Sequence, residues 1–454
     1  MWPLRELAAL GLDFNPRRNS FTYTFPPLYY AHANGRIGQP ASLLDAPDWP
    51  DVSLYLHFPF CEIDCSFCSL HRLVSRSLGS LDAYLGALHR EIQWFSRHLR
   101  DVPAVAFYLG GGTPSMLSPD RLGALLDDID RGFTITEGAE VTIECAPSNR
   151  RTQEEWRVYL AALVSRRSLP VTRVSFGVQS FDERTLRSMG RRGGLTAIMD
   201  LLQIVDELLP AYNIDVIVGY PGANSGLSIE DETSVTLESL ARLLSGGFRI
   251  PSVSLYQLWD TDTIRVMHEP RSELPSIDSI IAAKWQLQNA LFDMGYRPGT
   301  GTTLVRGAEF THLWARHRHL SFRHVGMGSG VYSILPEDLV HRPRDIDGYV
   351  RAMERSGHAH ELDTSLSLTI EEVVMRRIIV GLRSYEWTEG LPEHDGQLAS
   401  GELSDLGQKI SRLVDFGLVE RQGSRLRLGR DAFLIANEIS SYLHPVSHPR
   451  RPRT

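Results

Sequence analysis

Cys61, Cys65 and Cys68 set the tightest limit on this chain. Three of its four cysteines stand within eight residues, in Tyr55-Leu-His-Phe-Pro-Phe-Cys61-Glu-Ile-Asp-Cys65-Ser-Phe-Cys68. Thiolates spaced by four and then three residues can close around one iron–sulfur cluster while leaving one iron of four without a protein ligand. Such clusters are normally held by four cysteines, so a compact set of three points to an outside fourth ligand, and to chemistry at the open iron rather than electron transfer. A structural zinc site is the competing reading. Cys3His zinc sites, however, usually carry their ligands in two separated pairs, and only His57 and His71 lie close by. A disulfide framework fits worse, because four cysteines in 454 residues, three of them crowded together, make poor staples.

The rest of the chain supplies a setting for such a loop. With 42% hydrophobic residues it can bury a large core, and a net charge of −8 argues against a general nucleic-acid binder. No apolar run approaches the roughly 18 residues needed to span a bilayer, and Met1-Trp-Pro-Leu-Arg-Glu lacks a secretory core. A cytoplasmic location is therefore expected, where thiols stay reduced. Lys284 and Lys409 are the only lysines among 47 basic residues, an excess of arginine that reads as genome composition.

From residue 52, short β-branched or aromatic runs alternate with helix-length stretches: Val52–Phe58, Ala104–Leu109, Glu140–Cys145, Val171–Phe176, Tyr212–Val218 and Ser252–Leu258. That alternation predicts βαβ units and a parallel sheet with right-handed crossovers, an α/β fold in the form of an open (β/α)6 barrel. Ligands gather beyond the carboxyl ends of such strands. Within or just after five of these runs stand Cys61 to Cys68, then Leu109-Gly-Gly-Gly-Thr-Pro-Ser115, Glu144, Gln179 with Arg191, and Asp215. Three glycines in a row let a backbone approach a ligand closely and turn its N–H groups toward it.

Taken together, the cysteine loop, "GGGTPS" and Arg173-Val-Ser-Phe-Gly-Val-Gln-Ser-Phe resemble the radical S-adenosylmethionine (SAM) enzymes. Tyr55-x-His57-x-Pro-Phe-Cys61 narrows the likeness to the oxygen-independent coproporphyrinogen III oxidases and their relatives. The resemblance implies a [4Fe–4S] cluster on Cys61, Cys65 and Cys68 that binds SAM through its open iron. It implies that Tyr55, Phe67, Gly111 and Glu144 hold this first SAM, and that Gly112, Thr113, Gln179, Arg191 and Asp215 hold a second. Tyr55 and His57 are the implied catalytic residues; the alternative for His57 is a satisfied core histidine. Cys145 reads as a small buried hydrophobe. Two departures stand out: Gly190-Arg-Arg-Gly-Gly lacks the histidine that relatives carry, and Leu70 occupies the place of a fourth cysteine found in the decarboxylases.

The predicted organisation is an extended arm over 1–50, the barrel and its extension over 51–335, a mainly helical, winged-like C-terminal domain over 360–445, and a disordered tail over 446–454. The arm either packs outside the barrel or lines the substrate cavity. Gly326-Met-Gly-Ser-Gly-Val-Tyr-Ser333 resembles a glycine-rich turn of the same family. The basic, aromatic run Trp314–His324 before it is expected over the barrel mouth, as a solvated face or as a contact for an anionic substrate. Thr369-Ile-Glu-Glu372 is a capping box. The leading functional expectation is radical methylation or cyclopropanation of an unsaturated carbon of a specialised metabolite with two SAM molecules. The alternatives are oxidative decarboxylation as in the coproporphyrinogen oxidases, or heme carriage and breakdown. A monomer is expected, with a small-molecule substrate, a reductant such as flavodoxin or ferredoxin, and neither nucleic acid nor membrane as partner.

Overall fold

The structure is a computed structural model that describes residues 4–14, 24–27, 34–38, 43, 48–74, 78–148, 150–191, 193–220, 226–258, 275–307, 312–391 and 401–445. Six parallel strands form its centre: β1 (Val52–Phe58), β2 (Ala104–Gly111), β3 (Ile135–Cys145), β4 (Arg173–Gln179), β5 (Ala211–Val218) and β6 (Ser252–Gln257). They pair in chain order. Between them run α1 (Leu78–Leu99), α2 (Pro119–Gly132), α3 (Gln153–Val164), α4 (Gly194–Leu208) and α5 (Ile229–Ser245), followed by α6 (Ile277–Asp293). The helices start where the sequence offers a cap. Ser118, Thr152, Ser228 and Ser276 accept backbone N–H bonds at the starts of α2, α3, α5 and α6, satisfying donors that the first turn leaves free.

Side chains alternate across each strand, and the two faces differ in kind. Leu54, Leu56, Phe58, Leu109, Ile143, Val174, Ile214, Val216 and Val253 are buried in the layer between sheet and helices. Ser53, Tyr55, His57, Tyr108, Glu144, Arg173, Ser175, Asn213, Asp215 and Ser254 take the other phase. Their hydrogen bonds to one another, such as Asn213 Nδ2 to Ser175 Oγ at 3.1 Å and Ser254 Oγ to Asn213 Oδ1 at 3.1 Å, identify this as the lumen face. The barrel is apolar outside and polar within.

The sheet runs further than the six expected strands. β7 (Thr303–Arg306) pairs antiparallel with β6, and β8 (His324–Met327) lies parallel to β1. β9 (Tyr332–Ile334), β10 (Asp338–His341) and β11 (Thr364–Ser367) follow antiparallel, completing a 13-stranded mixed sheet with two further short strands. The glycine-rich segment 326–330 is the end of β8 and its turn: a Cβ on Gly326 would stand 2.5 Å from the Tyr332 carbonyl oxygen.

Two expectations change. The run Trp314–His324 forms α7 (Leu313–Leu320) at the opposite end from the barrel mouth. Leu313 and Trp314 donate their N–H groups to Glu140, on the early part of β3, and His324 bonds Ser53 near the start of β1 at 3.1 Å. These long-range bonds set its place, which the charge pattern of the run does not encode. The arm, read as having no period, contains a helix over Leu4–Leu10 whose Leu7 joins Leu12 and Phe25 in a second core. That core belongs to α9 (Ile370–Gly381), α10 (Gly401–Asp415), the hairpin β12 (Val419–Gln422) and β13 (Arg425–Leu428), and α11 (Ala436–Leu443); α8 is the amphipathic Ile346–Ser356 against α1. Thr369 and Glu372 form the expected capping box of α9. The tail over 446–454, expected to be disordered, lies outside the described residues.

Candidate functional site

The cysteine loop leaves β1 at the mouth. Cys61 is buried, Cys65 and Cys68 are half-buried, and none forms a disulfide. Burial pushes the Cys61 thiol up to about 11, with Cys65 and Cys68 adding to the shift, so each sulfur lies in the field of the others. Thr113 Oγ1 approaches Cys61 Sγ at 3.5 Å and Arg191 Nη1 approaches Cys65 Sγ at 4.0 Å. Arg72 holds the loop from within: it donates to the carbonyls of Cys68 and of Cys65 (3.2 Å) and pairs with Asp64. Ser66 anchors it to the far wall through Tyr220 Oη at 2.8 Å and the Ser188 carbonyl at 3.3 Å. Among the described residues no three His, Cys, Asp or Glu side chains converge tightly enough to hold a single metal ion. A cluster asks for no such convergence, because each thiolate meets a different iron. Three unpaired thiols with their loop carbonyls clamped therefore fit a cluster better than one zinc ion.

Phe67, between the second and third cysteines, packs on Met189, Ile217, Tyr220 and Leu258 at the ends of β5 and β6. This apolar wall suits the flat face of a purine. Opposite it lies Gly110-Gly-Gly112. Gly111 has φ +109° and its N–H donates to Glu144 Oε2 at 3.0 Å; Gly112 N–H donates to the Phe58 carbonyl at 2.7 Å. These N–H groups, expected to face a ligand, are committed within the protein. The glycines answer to packing: a Cβ on Gly111 would lie 2.3 Å from His57 Cε1, and one on Gly112 would lie 2.4 Å from the Phe60 carbonyl oxygen.

His57 is buried and uses both ring nitrogens. Nε2 lies 3.0 Å from the His71 carbonyl oxygen, which only accepts, so Nε2 carries the proton and Nδ1 accepts from Tyr55 Oη at 3.0 Å. Burial holds the ring neutral, its pKa down to about 3, and it stacks on His71. Both ring nitrogens thus have partners within the protein. Tyr55 packs in turn near Tyr108, 6.0 Å between ring centroids.

Glu144 ends β3 with its carboxylate toward the lumen, accepting from Tyr108 Oη at 2.7 Å as well as from Gly111. Burial raises its pKa, against Tyr108, Gly111 and Arg173. Across the lumen Asp215 accepts from Asn213 Nδ2 at 2.7 Å; burial, then the charge of Glu144, push it up to about 7. Gln179 is 9% exposed with φ +70°, at a bulge where β4 slips against β5. A non-glycine residue held in the left-handed region is a strained position of the kind that clusters at functional sites. Arg191 Nη2 donates to the Gly177 carbonyl at 2.6 Å, which turns its other guanidinium nitrogen to Cys65. Cys145 faces the opposite way, buried in the apolar layer. Sequence reasoning missed Arg72, Tyr108, Arg173 and Tyr220; Tyr108 and Arg173 carried a signal, since they share the phase of Glu144 and Asp215 in alternating strands.

Comparison with known proteins follows the same lines. Residues 55–226 match the model of the Radical SAM superfamily. "Radical S-adenosyl methionine domain-containing protein 1, mitochondrial" of Bos taurus is 26% identical over 87% of either chain. Heme chaperone HemW of Mycobacterium tuberculosis is 29% identical over 52% of this chain and 57% of its own. The oxygen-independent coproporphyrinogen III oxidase of Escherichia coli is 24% identical over 76% of this chain and 75% of its own. The solved structure of that Escherichia coli enzyme, HemN, superposes with a TM-score of 0.76 over 98% of both chains at 20% identity, which shows a shared fold. A radical SAM domain thus covers the cysteine loop and β1–β5, and along most of its length the chain is similar to proteins named as radical SAM domain-containing protein 1 and oxygen-independent coproporphyrinogen III oxidase.

Proposed function

We propose that this protein binds SAM at a [4Fe–4S] cluster held by Cys61, Cys65 and Cys68, and uses it to oxidise a small molecule of the porphyrinogen class. The observation that carries the reading is the convergence, at one end of the barrel, of three unpaired thiols with the Phe67 wall, Glu144 and Asp215. Relatives named for coproporphyrinogen oxidation and heme handling support the substrate class. When bound, the cluster supplies one electron to the sulfonium of SAM. The chain's own groups bind and orient. Phe67, Met189 and Leu258 give the purine an apolar slot, and Glu144, fixed by Tyr108 and Gly111, accepts from a ribose hydroxyl. Tyr55 and His57 hold a proton between Oη and Nδ1 beside the loop, and their pairing keeps the wall of the site in one tautomer. Gln179, Arg191 and Asp215, with Gly112 and Thr113 at the turn, form the second SAM site of this reading. The partner it requires is a one-electron reductant such as flavodoxin or ferredoxin, in a reducing compartment such as the cytoplasm. No helix among the described residues is long and apolar enough to cross a membrane.

One observation favours a second reading. Leu70, at the place of the decarboxylases' fourth cysteine, is 56% exposed and available for no ligand role, and this keeps two-SAM methylation or cyclopropanation as the alternative. Products separate the two. With SAM, reductant, a one-electron acceptor and a propionate-bearing porphyrinogen, the first reading yields 5′-deoxyadenosine and carbon dioxide without S-adenosylhomocysteine, the substrate giving one hydrogen atom to the deoxyadenosyl group and one electron to the acceptor. With an unsaturated acceptor, the second yields deoxyadenosine and homocysteine product together. A heme carrier binds heme with a Soret band and turns over neither. Cys61→Ala, Cys65→Ala or Cys68→Ala should each lose the iron, near four per wild-type chain by cluster stoichiometry, while Cys145→Ala should keep it. Iron lost from Cys145→Ala would overturn the ligand assignment.

A further inference from the structure

The lumen holds one charged group that the reading above leaves unused. Arg173 on β4 is 1% exposed, its Nε and Nη1 are buried without a hydrogen-bond partner, and it forms no ion pair among the described residues. The ladder gives its height. Arg173 pairs with Thr142, so on β3 it stands one inward step above Glu140 and one below Glu144; on β5 its partner is Ala211, two inward steps below Asp215. Its positive field lowers the pKa of Glu140, Glu144 and Asp215 alike, against the burial that raises all three. The remaining polar groups in that field are Tyr108 from β2 and His312 beside α7.

A guanidinium taken from water with donors unpaired is costly, and apolar residues replace such groups readily where only stability is at stake. Its stand-off position has a chemical use. A fork-to-fork pair with Glu144 would occupy both carboxylate oxygens. Held back, the cation offsets the repulsion between Glu144 and Asp215 while each oxygen of Glu144, already accepting one bond, keeps a second lone pair for a ligand.

We propose that Arg173 is a positioning residue of the SAM site, a stand-off internal cation that keeps Glu144 anionic and leaves both Glu144 and Asp215 open to the lumen for hydrogen bonds to the ligand. The inference rests on the reading that these carboxylates hold SAM.

Anaerobic equilibrium binding of SAM to the reconstituted full chain tests it, with iron content and the unfolding temperature measured on the same samples. Arg173→Met should weaken SAM binding at least tenfold with iron content kept. Arg173→Lys, which preserves charge without the fork, should stay within about threefold of wild type. Arg173→Met combined with Glu140→Gln should regain part of the loss, because it removes the deeper negative charge without touching Glu144 or Asp215. Wild-type affinity in Arg173→Met would overturn the inference, as would a tenfold loss in an Arg173→Lys protein that unfolds at the wild-type temperature. Should Arg173→Met fail to fold, the lysine variant and Glu140→Gln alone still decide it: on this inference Glu140→Gln binds SAM as tightly as wild type or more so, and a tenfold loss there contradicts it. If wild type itself binds no SAM, the functional reading falls instead.

Discussion

At Asp215 two forces oppose each other within one side chain. Burial and the neighbouring Glu144 push its carboxyl up to about 7, against Arg173, Asn213 and Ser254, where an unperturbed aspartate titrates near 3.9. Between about pH 4 and pH 7 the folded protein therefore holds a proton that the unfolded chain has released. The folded state binds more protons, so stability falls as pH rises through that window, by at most ~1.4 kcal/mol per unit. Asp215→Asn should flatten this slope: urea midpoints of variant and wild type should nearly coincide below about pH 4, with the variant increasingly ahead from there to pH 8. Equal slopes in the two proteins would show that Asp215 does not titrate in this range. The candidate site was unevenly legible at this scale. Cys61, Glu144 and Asp215 announced themselves through motif and strand phase. The glycines of "GGGTPS" were legible as a turn, but not for their reason, because the contacts that demand them, His57 and the Phe60 carbonyl, come from another strand. Arg173 was hidden by its company in a motif read for Gln179.

Among the elements, the helices were written most plainly. The capping box Thr369/Glu372 sits at the head of α9, with Thr369 Oγ1 accepting from Glu372 N at 3.2 Å and Glu372 returning a bond to Thr369 N at 2.9 Å. Thr369→Ala should cost about 1 kcal/mol, read as a shift in the urea midpoint of α9's core, and Thr369→Ser should restore it. No difference between Ala and Ser would mean that the box does not bear on stability. Five of the six central strands begin within two residues of where their β-branched runs begin; β3 starts earlier, at Ile135, because Ile135 pairs with Ala104 through backbone bonds that ignore side-chain type. α7 was misplaced because a run of Arg, His and Trp says what a surface binds and nothing about which end of a barrel it covers. Its location is fixed by long-range bonds, Leu313 and Trp314 to Glu140, which no local pattern encodes.

At the scale of the whole molecule, the barrel is joined to its sheet extension by a buried charge network. Arg342, just after β10, grips Asp363 with Nε at 2.8 Å and Nη2 at 3.0 Å and pairs with Glu91 of α1. Glu91 in turn accepts from Gly328 N and Tyr349 Oη, each at 2.7 Å. Burial alone would raise the Asp363 carboxyl, but Arg342 and His360 hold it down to about 2. Its contribution is therefore in place at neutral pH and is lost only as pH falls through about 4 to 2. Arg342→Met leaves two carboxylates buried with their cation gone and should cost ~3–5 kcal/mol, measured by urea unfolding at pH 7. A loss under 1 kcal/mol would mean that water reaches the network. Sequence alone could not reveal it, because its members lie 251 and 21 residues from Arg342. The fold class was legible because strand and helix lengths alternate along the chain, whereas the extension of the sheet beyond β1 by β8 depends on pairing across about 270 residues.

The seat of α7 across the strand starts has a further consequence for traffic. With the strand starts covered, a molecule bound beside the cysteine loop is approached from the carboxyl ends of the strands or from the side where β1 and β6 are not paired with each other.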